Sequence, residues 1–223
     1  MLSTALFLVL AFSVSTALGQ CSLAGYIGAY DPTSGAFIGA VARNLGSQGI
    51  LTLEQTGNRA NYLAVLGTTN NTTTGEAVLL QILSPIDPNA PFVSLVMGNQ
   101  ILNCNEIAIP NGDAAWAAQI TPSDGDPRGP FPLPADSRTT LLGGYGNLQT
   151  FCGEPMAWAI RSNLGRDTLA PVWTDQNGNQ HSVAVIHDTT NNRIAISPSL
   201  AAYTAAAHGT FPTISEVILA IFT

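Results

Sequence analysis

The chain has 223 residues, of which 9% are charged, with no lysine and seven arginines against 14 carboxylates for a formal charge of −7. An ordinary soluble domain carries about a quarter charged residues, so the polarity here comes from Ser, Thr, Asn, Gln and Gly and the surface is neutral and hydrogen-bonding. Nucleic-acid binding and attraction to anionic lipid both need clustered cations, and this composition excludes them.

Met1 to Gln20 holds an apolar stretch, Leu6 to Val14, followed by small residues that end at Gly19. That is the grammar of a cleaved secretory signal, and the apolar run is too short for the roughly 20 residues a membrane span needs. Residues 1–19 are therefore expected to be removed, leaving 20–223 as a secreted, extracellular, β-rich domain. Its length suffices for one buried core.

Gly25 to Tyr30 and Ala36 to Val41 read as strands around Asp31-Pro32-Thr33-Ser34-Gly35, where proline presets one turn dihedral and glycine supplies a positive φ. Ile50 to Leu53 and Tyr62 to Leu66 flank a Thr56-Gly57-Asn58 turn, and Ala77 to Leu83 and Phe92 to Met97 bracket Ser84 to Asn89. Asn70-Asn71-Thr72-Thr73 carries two overlapping glycosylation sequons, Asn70 and Asn71, in a polar run that reads as an exposed loop. Asn111 to Gln119, alanine-rich around Trp116, is expected to be a short helical turn capped by Asn111 or Asp113.

From Ser123 to Ala135 the composition turns to Asp, Gly and Pro, a loop that divides the domain into halves, 20–122 and 136–223. Beyond it, Met156 to Arg161, Leu169 to Thr174, His181 to His187 and Arg193 to Ser197 read as strands, with a hairpin at Asn177-Gly178. Leu200 to His208 predicts a short helix and Ser215 to Phe222 a final strand. The predicted fold is all-β or β-dominated: two packed antiparallel sheets, sandwich-like, formed from the two halves, with one or two short helices.

Cys21, Cys104 and Cys152 enter an oxidising compartment, where two of three pair; Cys104 with Cys152 closes the shortest loop and is the expected disulfide. The third cysteine is left either buried or available for an intermolecular bond.

The stretch from Cys21 through Gly25-Tyr26-Ile27-Gly28-Ala29-Tyr30-Asp31-Pro32 to Gly39 resembles a group of small secreted proteins of mushroom-forming fungi. Ala157-Trp158-Ala159-Ile160 and Leu169-Ala170-Pro171-Val172-Trp173-Thr174-Asp175-Gln176-Asn177-Gly178 resemble the second half of the same group. The resemblance implies secretion and a fungal source. It implies no activity, cofactor or site.

Catalytic grammar is sparse. No Gly-x-Ser-x-Gly elbow and no Asp-Thr/Ser-Gly pair occurs. His181 and His187, six apart on one predicted strand, would share a face but stand about 20 Å apart, too far to share an ion. Asp175-x-Asn177-x-Asn179 sets oxygen ligands in the first positions of a calcium loop, yet its glycine comes early and no glutamate closes it. A hairpin turn is expected there, calcium being the alternative, and no cofactor is otherwise predicted. Tyr26, Tyr30, Trp116, Trp158 and Trp173 are the rings that could stack on sugars, with core packing as the competing reading. The expected function is non-enzymatic binding of carbohydrate or another extracellular surface ligand, with a polysaccharide hydrolase or a wall-associated structural protein as alternatives.

Overall fold

The structure, a computed structural model, describes residues 22–46, 49–68, 77–97, 118–124, 136–140, 149–154, 158–163, 165–174, 180–206 and 213–223. Its strands are β1 (Ser22–Tyr30), β2 (Phe37–Val41), β3 (Leu53–Glu54), β4 (Ala64–Thr68), β5 (Ala77–Ile82), β6 (Phe92–Met97), β7 (Ala118–Ser123) and β8 (Asp136–Thr140). They continue with β9 (Gln149–Glu154), β10 (Trp158–Asn163), β11 (Arg166–Thr174), β12 (Gln180–Ser182), β13 (Ala184–Asp188), β14 (Arg193–Ser197) and β15 (Ile214–Phe222). A 3-10 turn spans Arg59–Asn61, and the helix α1 covers Leu200–Ala206.

The protein is β-dominated, but it is not a two-sheet sandwich. The strands form one antiparallel sheet that closes on itself through β1–β4–β5–β6–β7–β14–β13–β15 and back to β1, an eight-stranded barrel carrying extra strands. The two halves do not build a sheet each because their strands seek partners across the divide: β1 lies beside β15, β5 beside β10, and β7 beside β14. Closure leaves the barrel strands no unpaired edge and buries the inner face against itself.

Strand parity then sorts the side chains. Ile27 and Ala29 of β1 point inward with Val65, Leu80, Val93, Leu95, Ile120 and Leu219, filling the interior as an eight-stranded barrel requires. Tyr26, Gly28 and Tyr30 consequently face outward. Leu51 is wedged into the wall: its N–H donates to the Ile120 carbonyl and its own carbonyl accepts from Ile194 N–H, both at 3.0 Å, where β7 and β14 diverge.

Three local expectations are corrected. His181 to His187 is two strands broken at Val183, because β13 pairs with Val217 to Ile214 of β15 while β11 takes the same edge at Leu219 and Ala220, so the chain must change partners. Ala118 and Gln119 begin β7 instead of ending a helix; Trp116 lies outside the described residues. Polar strands β8 and β9, absent from the predicted set, pair with each other and dock through β7 and β6.

The Asp31–Gly35 turn and the helix form where predicted, and a second tight turn joins β13 to β14. Asp31 Oδ1 accepts from the N–H groups of Thr33 (3.0 Å) and Ser34 (2.6 Å) and from the Ser34 hydroxyl (2.8 Å), and Gly35 turns the chain at φ 69°. At the β13–β14 turn Asn192 takes the left-handed conformation, φ 45°. Ser199 caps α1, its hydroxyl accepting from Ala202 N–H at 3.1 Å.

Candidate functional site: an aromatic face on the barrel wall

The outward side of β1 is built for rings. Tyr26 stands opposite Phe222 of β15, and Tyr30 opposite Phe37 of β2, so hairpin and barrel closure deliver one aromatic from each neighbour to the same face. Tyr62, just before β4, joins them through its backbone bridge to Ala42.

The rings form a continuous line. Tyr62 meets Tyr26 edge-on at 5.7 Å between centroids and Phe222 at 6.0 Å; Phe222 meets Phe37 at 5.6 Å; Phe37 meets Tyr30 at 5.4 Å. These are the edge-to-face separations aromatic pairs prefer. Gly28 makes the line possible: a Cβ there would lie 2.9 Å from Tyr30 Cε2 and 3.1 Å from the Phe222 ring. The two rings fold over bare backbone. Phe37 is 48% exposed and Tyr26 and Phe222 are half-buried, whereas Tyr30 (7%) and Tyr62 (6%) are buried, so it is the middle of the line that presents ring surface to solvent.

Guanidinium groups stand at both ends. Arg166 lies 4.2 Å above the Tyr30 ring, a cation–π contact, and donates to the Gly35 carbonyl at 3.1 Å, which ties β11 to the β1–β2 turn. At the other end Tyr26 and Tyr62 wall a pocket of about 200 Å³, with Arg43, Arg59, Ala60, Leu63, Ala64 and Ser84 as the remaining lining. It sits where β1 changes partner from β4 to β2, a gap closed by Leu63 N–H donating to the Val41 carbonyl at 2.8 Å and Arg43 N–H to the Asn61 carbonyl at 2.6 Å. Arg59 is steadied by a 3.3 Å hydrogen bond to the backbone oxygen of Thr223.

The other candidate residues fall elsewhere. Trp158 (1% exposed) and Trp173 (0%) are core residues, and Trp158 Nε1 donates to the Val93 carbonyl at 3.0 Å. Neither offers a face to a ligand, because both rings pack into the core cluster. Asp175, Asn177, Asn179, Asn70, Asn71, Cys21 and Cys104 lie outside the described residues; Cys152 is in β9, its backbone opposite Ser137. Among the described residues no cluster of His, Cys, Asp or Glu could hold a metal ion, and no helix is long and apolar enough to cross a membrane.

The carboxylates with displaced pKa values serve turns. The Ser34 N–H and hydroxyl pull Asp31 below its ordinary value, and the Thr56 N–H does the same for Glu54. A general acid needs the opposite displacement. Asp188, fully buried, is also held low: desolvation pushes it up, but bonds from Asn191 and Thr190 and the Arg193 charge outweigh that. Burial pushes His187 down, partly countered by a hydrogen bond to Asn192 and by Asp188. The two are chain neighbours on opposite faces of β13, and both are buried.

Sequence reasoning placed Tyr26 and Tyr30 on one face but missed Phe37, Tyr62, Phe222, Arg43, Arg59 and Arg166. The turn at 31–35 held the signal for one of them, since it sets Phe37 across from Tyr30. Phe222 depends on barrel closure, which joins residues almost the whole chain apart, Arg166 on the pairing of β11 with β15, and Tyr62, Arg43 and Arg59 on the Ala42–Tyr62 bridge and the backbone hydrogen bonds beside it. Comparison with known proteins finds no matching family model, no matching curated protein and no matching solved structure, so function has to be read from this geometry.

Proposed function

We propose that the protein is a secreted, non-enzymatic carbohydrate-binding module whose binding surface is the outer face of β1 and its neighbours. The observation that carries the reading is the ring line Tyr62–Tyr26–Phe222–Phe37–Tyr30. Sugar rings present C–H faces that pack on aromatic surface and hydroxyls that suit a neutral, hydrogen-bonding rim. The composition of the chain supports the same ligand class, since Ser, Thr, Asn and Gln supply the hydrogen-bond donors and acceptors that sugar hydroxyls pair with. Export, with residues 1–19 removed, would bring the module to cell-wall polysaccharide.

The test is retention of the purified mature protein on insoluble fungal and plant polysaccharides, with released reducing sugar assayed in the same mixtures. Retention without sugar release, lost in Phe37→Ala, is the expected result. Sugar release would replace the binding module with a hydrolase, and retention unchanged by Phe37→Ala would remove the ring line from the reading.

A further inference from the structure

We infer that the pocket at the Tyr62 end of the ring line takes a carboxylate-bearing sugar, a hexuronate unit, and so makes this module selective for acidic polysaccharide. The inference rests on the carbohydrate-binding reading and adds the ligand's charge. The chain has seven arginines and no lysine. Two of those seven, Arg43 and Arg59, line one pocket of about 200 Å³, and no carboxylate is among its lining residues. Such a concentration of positive charge on a chain of net charge −7 makes a local anion site in an otherwise repelling field.

The groups match a uronate in kind and in place. Guanidinium is planar and presents paired donors that suit a carboxylate. Arg59 uses one N–H on the backbone oxygen of Thr223, which fixes its position, and a guanidinium carries further donors beside it. Among the described residues neither Arg43 nor Arg59 is in an ion pair with an Asp or Glu side chain, in contrast to Arg193, which pairs with Asp188 at 3.1 Å. The phenol rings of Tyr26 and Tyr62, 5.7 Å apart and near-perpendicular, supply the apolar wall for the sugar ring itself. The pocket is smaller than the about 300–1,000 Å³ of drug-sized ligand sites, a volume for one terminal or side-branch unit whose neighbours run along the line toward Phe37.

The experiment is calorimetric titration of the mature protein with trigalacturonate, its fully methyl-esterified form, a neutral galactose trimer, a sulfated galactose trimer and sodium sulfate. Trigalacturonate is expected to bind about tenfold tighter than its methyl ester or the neutral trimer. That margin should vanish in Arg43→Gln and Arg59→Gln, each melting within a few degrees of wild type, and partly return in Arg59→Lys. Equal affinity for the acid, ester and neutral trimers, with the glutamine variants unchanged, would overturn the acidic selectivity and leave the carbohydrate reading standing. Binding of no saccharide at all would overturn both. Equal binding of the sulfated trimer with displacement by sodium sulfate would make the pocket a general anion site and overturn the uronate assignment.

Discussion

Gly28 is the residue on which the aromatic face depends most directly. Its missing side chain lets Tyr30 and Phe222 lie over the strand, and an added Cβ would meet both rings at about 3 Å, closer than ordinary contact allows. Gly28→Ala is therefore expected to push the rings apart, costing about 1–3 kcal/mol of stability as overpacked sites do. Saccharide binding should weaken with it. Denaturant unfolding monitored by tyrosine fluorescence reads the first effect and titration the second; a variant of wild-type stability and affinity would mean the rings are not seated as described.

His187 sets a second residue-scale expectation. The side chain is 2% exposed, and among the described residues its Nε2 has no hydrogen-bond partner. Desolvation lowers its folded-state pKa, with Asn192 and Asp188 only partly restoring it. The unfolded chain, with an ordinary value near 6.5, then binds a proton that the folded chain refuses. Stability is complete above that value and falls as pH drops through it, at no more than about 1.4 kcal/mol per pH unit. The depressed carboxyl of Asp188 adds a further loss only below its ordinary 3.8. Chemical denaturation from pH 8 to 4.5 should show this slope in the wild type and a flatter one in His187→Gln. A wild-type profile already flat between pH 7 and 5 would contradict the refused proton.

At the scale of elements, the β13–β14 hairpin is organised by one buried carboxylate. Asp188 accepts from Thr190 N–H (3.0 Å), Asn191 N–H (3.2 Å), Asn191 Nδ2 (2.8 Å) and Arg193 Nε (3.1 Å), and Tyr203 of α1 reaches it from 3.4 Å. The turn, the strand that follows it and the helix thus share one anchor. Removing it strands the partly buried Arg193 and four further donors, so Asp188→Ala is expected to cost about 3–5 kcal/mol. Tyr203→Phe, which deletes only the longest of these bonds, should cost less than about 1 kcal/mol. Hydrogen exchange should find 184–206 opening first in the alanine variant; protection lost evenly across the barrel would place the anchor elsewhere.

Elements closed by their own turns are legible in the sequence alone. Asp31 to Gly35 carries every residue its turn needs, and the helix from Leu200 follows a serine cap. The strand at Ala118 is hidden for a physical reason: Ala118 and Ile120 alternate inward, but alanine is as much a helix former as a strand filler, and Pro122 ends the pattern. β8, Asp-Ser-Arg-Thr-Thr, has no apolar alternation at all, so its sequence carries no strand period to read. Half of the site is readable in the same sense. Tyr26 and Tyr30 share a face by parity alone, whereas Phe222, Arg59 and Arg166 reach that face only through pairings that no local pattern encodes.

For the whole molecule the decisive strand is the last. β15 pairs with β1 along Ile218 to Phe222 on one side, and with β13 and then β11 on the other, so a single nine-residue strand closes the barrel and roofs the fork between its partners. It also brings Phe222 to the ring line and Thr223 to Arg59. Fold and site therefore share one closing step, made between segments almost 200 residues apart in sequence. Contacts so distant are slow to form, because the entropy of closing the loop comes before the contacts that reward it. Refolding is expected in the millisecond-to-second range typical of non-local β topologies, with native near-ultraviolet ellipticity from the buried Trp158 and Trp173 and saccharide binding recovered together. A chain truncated after Thr213 should keep strand hairpins but lose cooperative unfolding and bind nothing. Supplying residues 214–223 as a separate peptide should restore both signals at once, as strand addition to an open sheet edge does. Binding regained without cooperative unfolding would mean that the aromatic face assembles independently of the closed barrel.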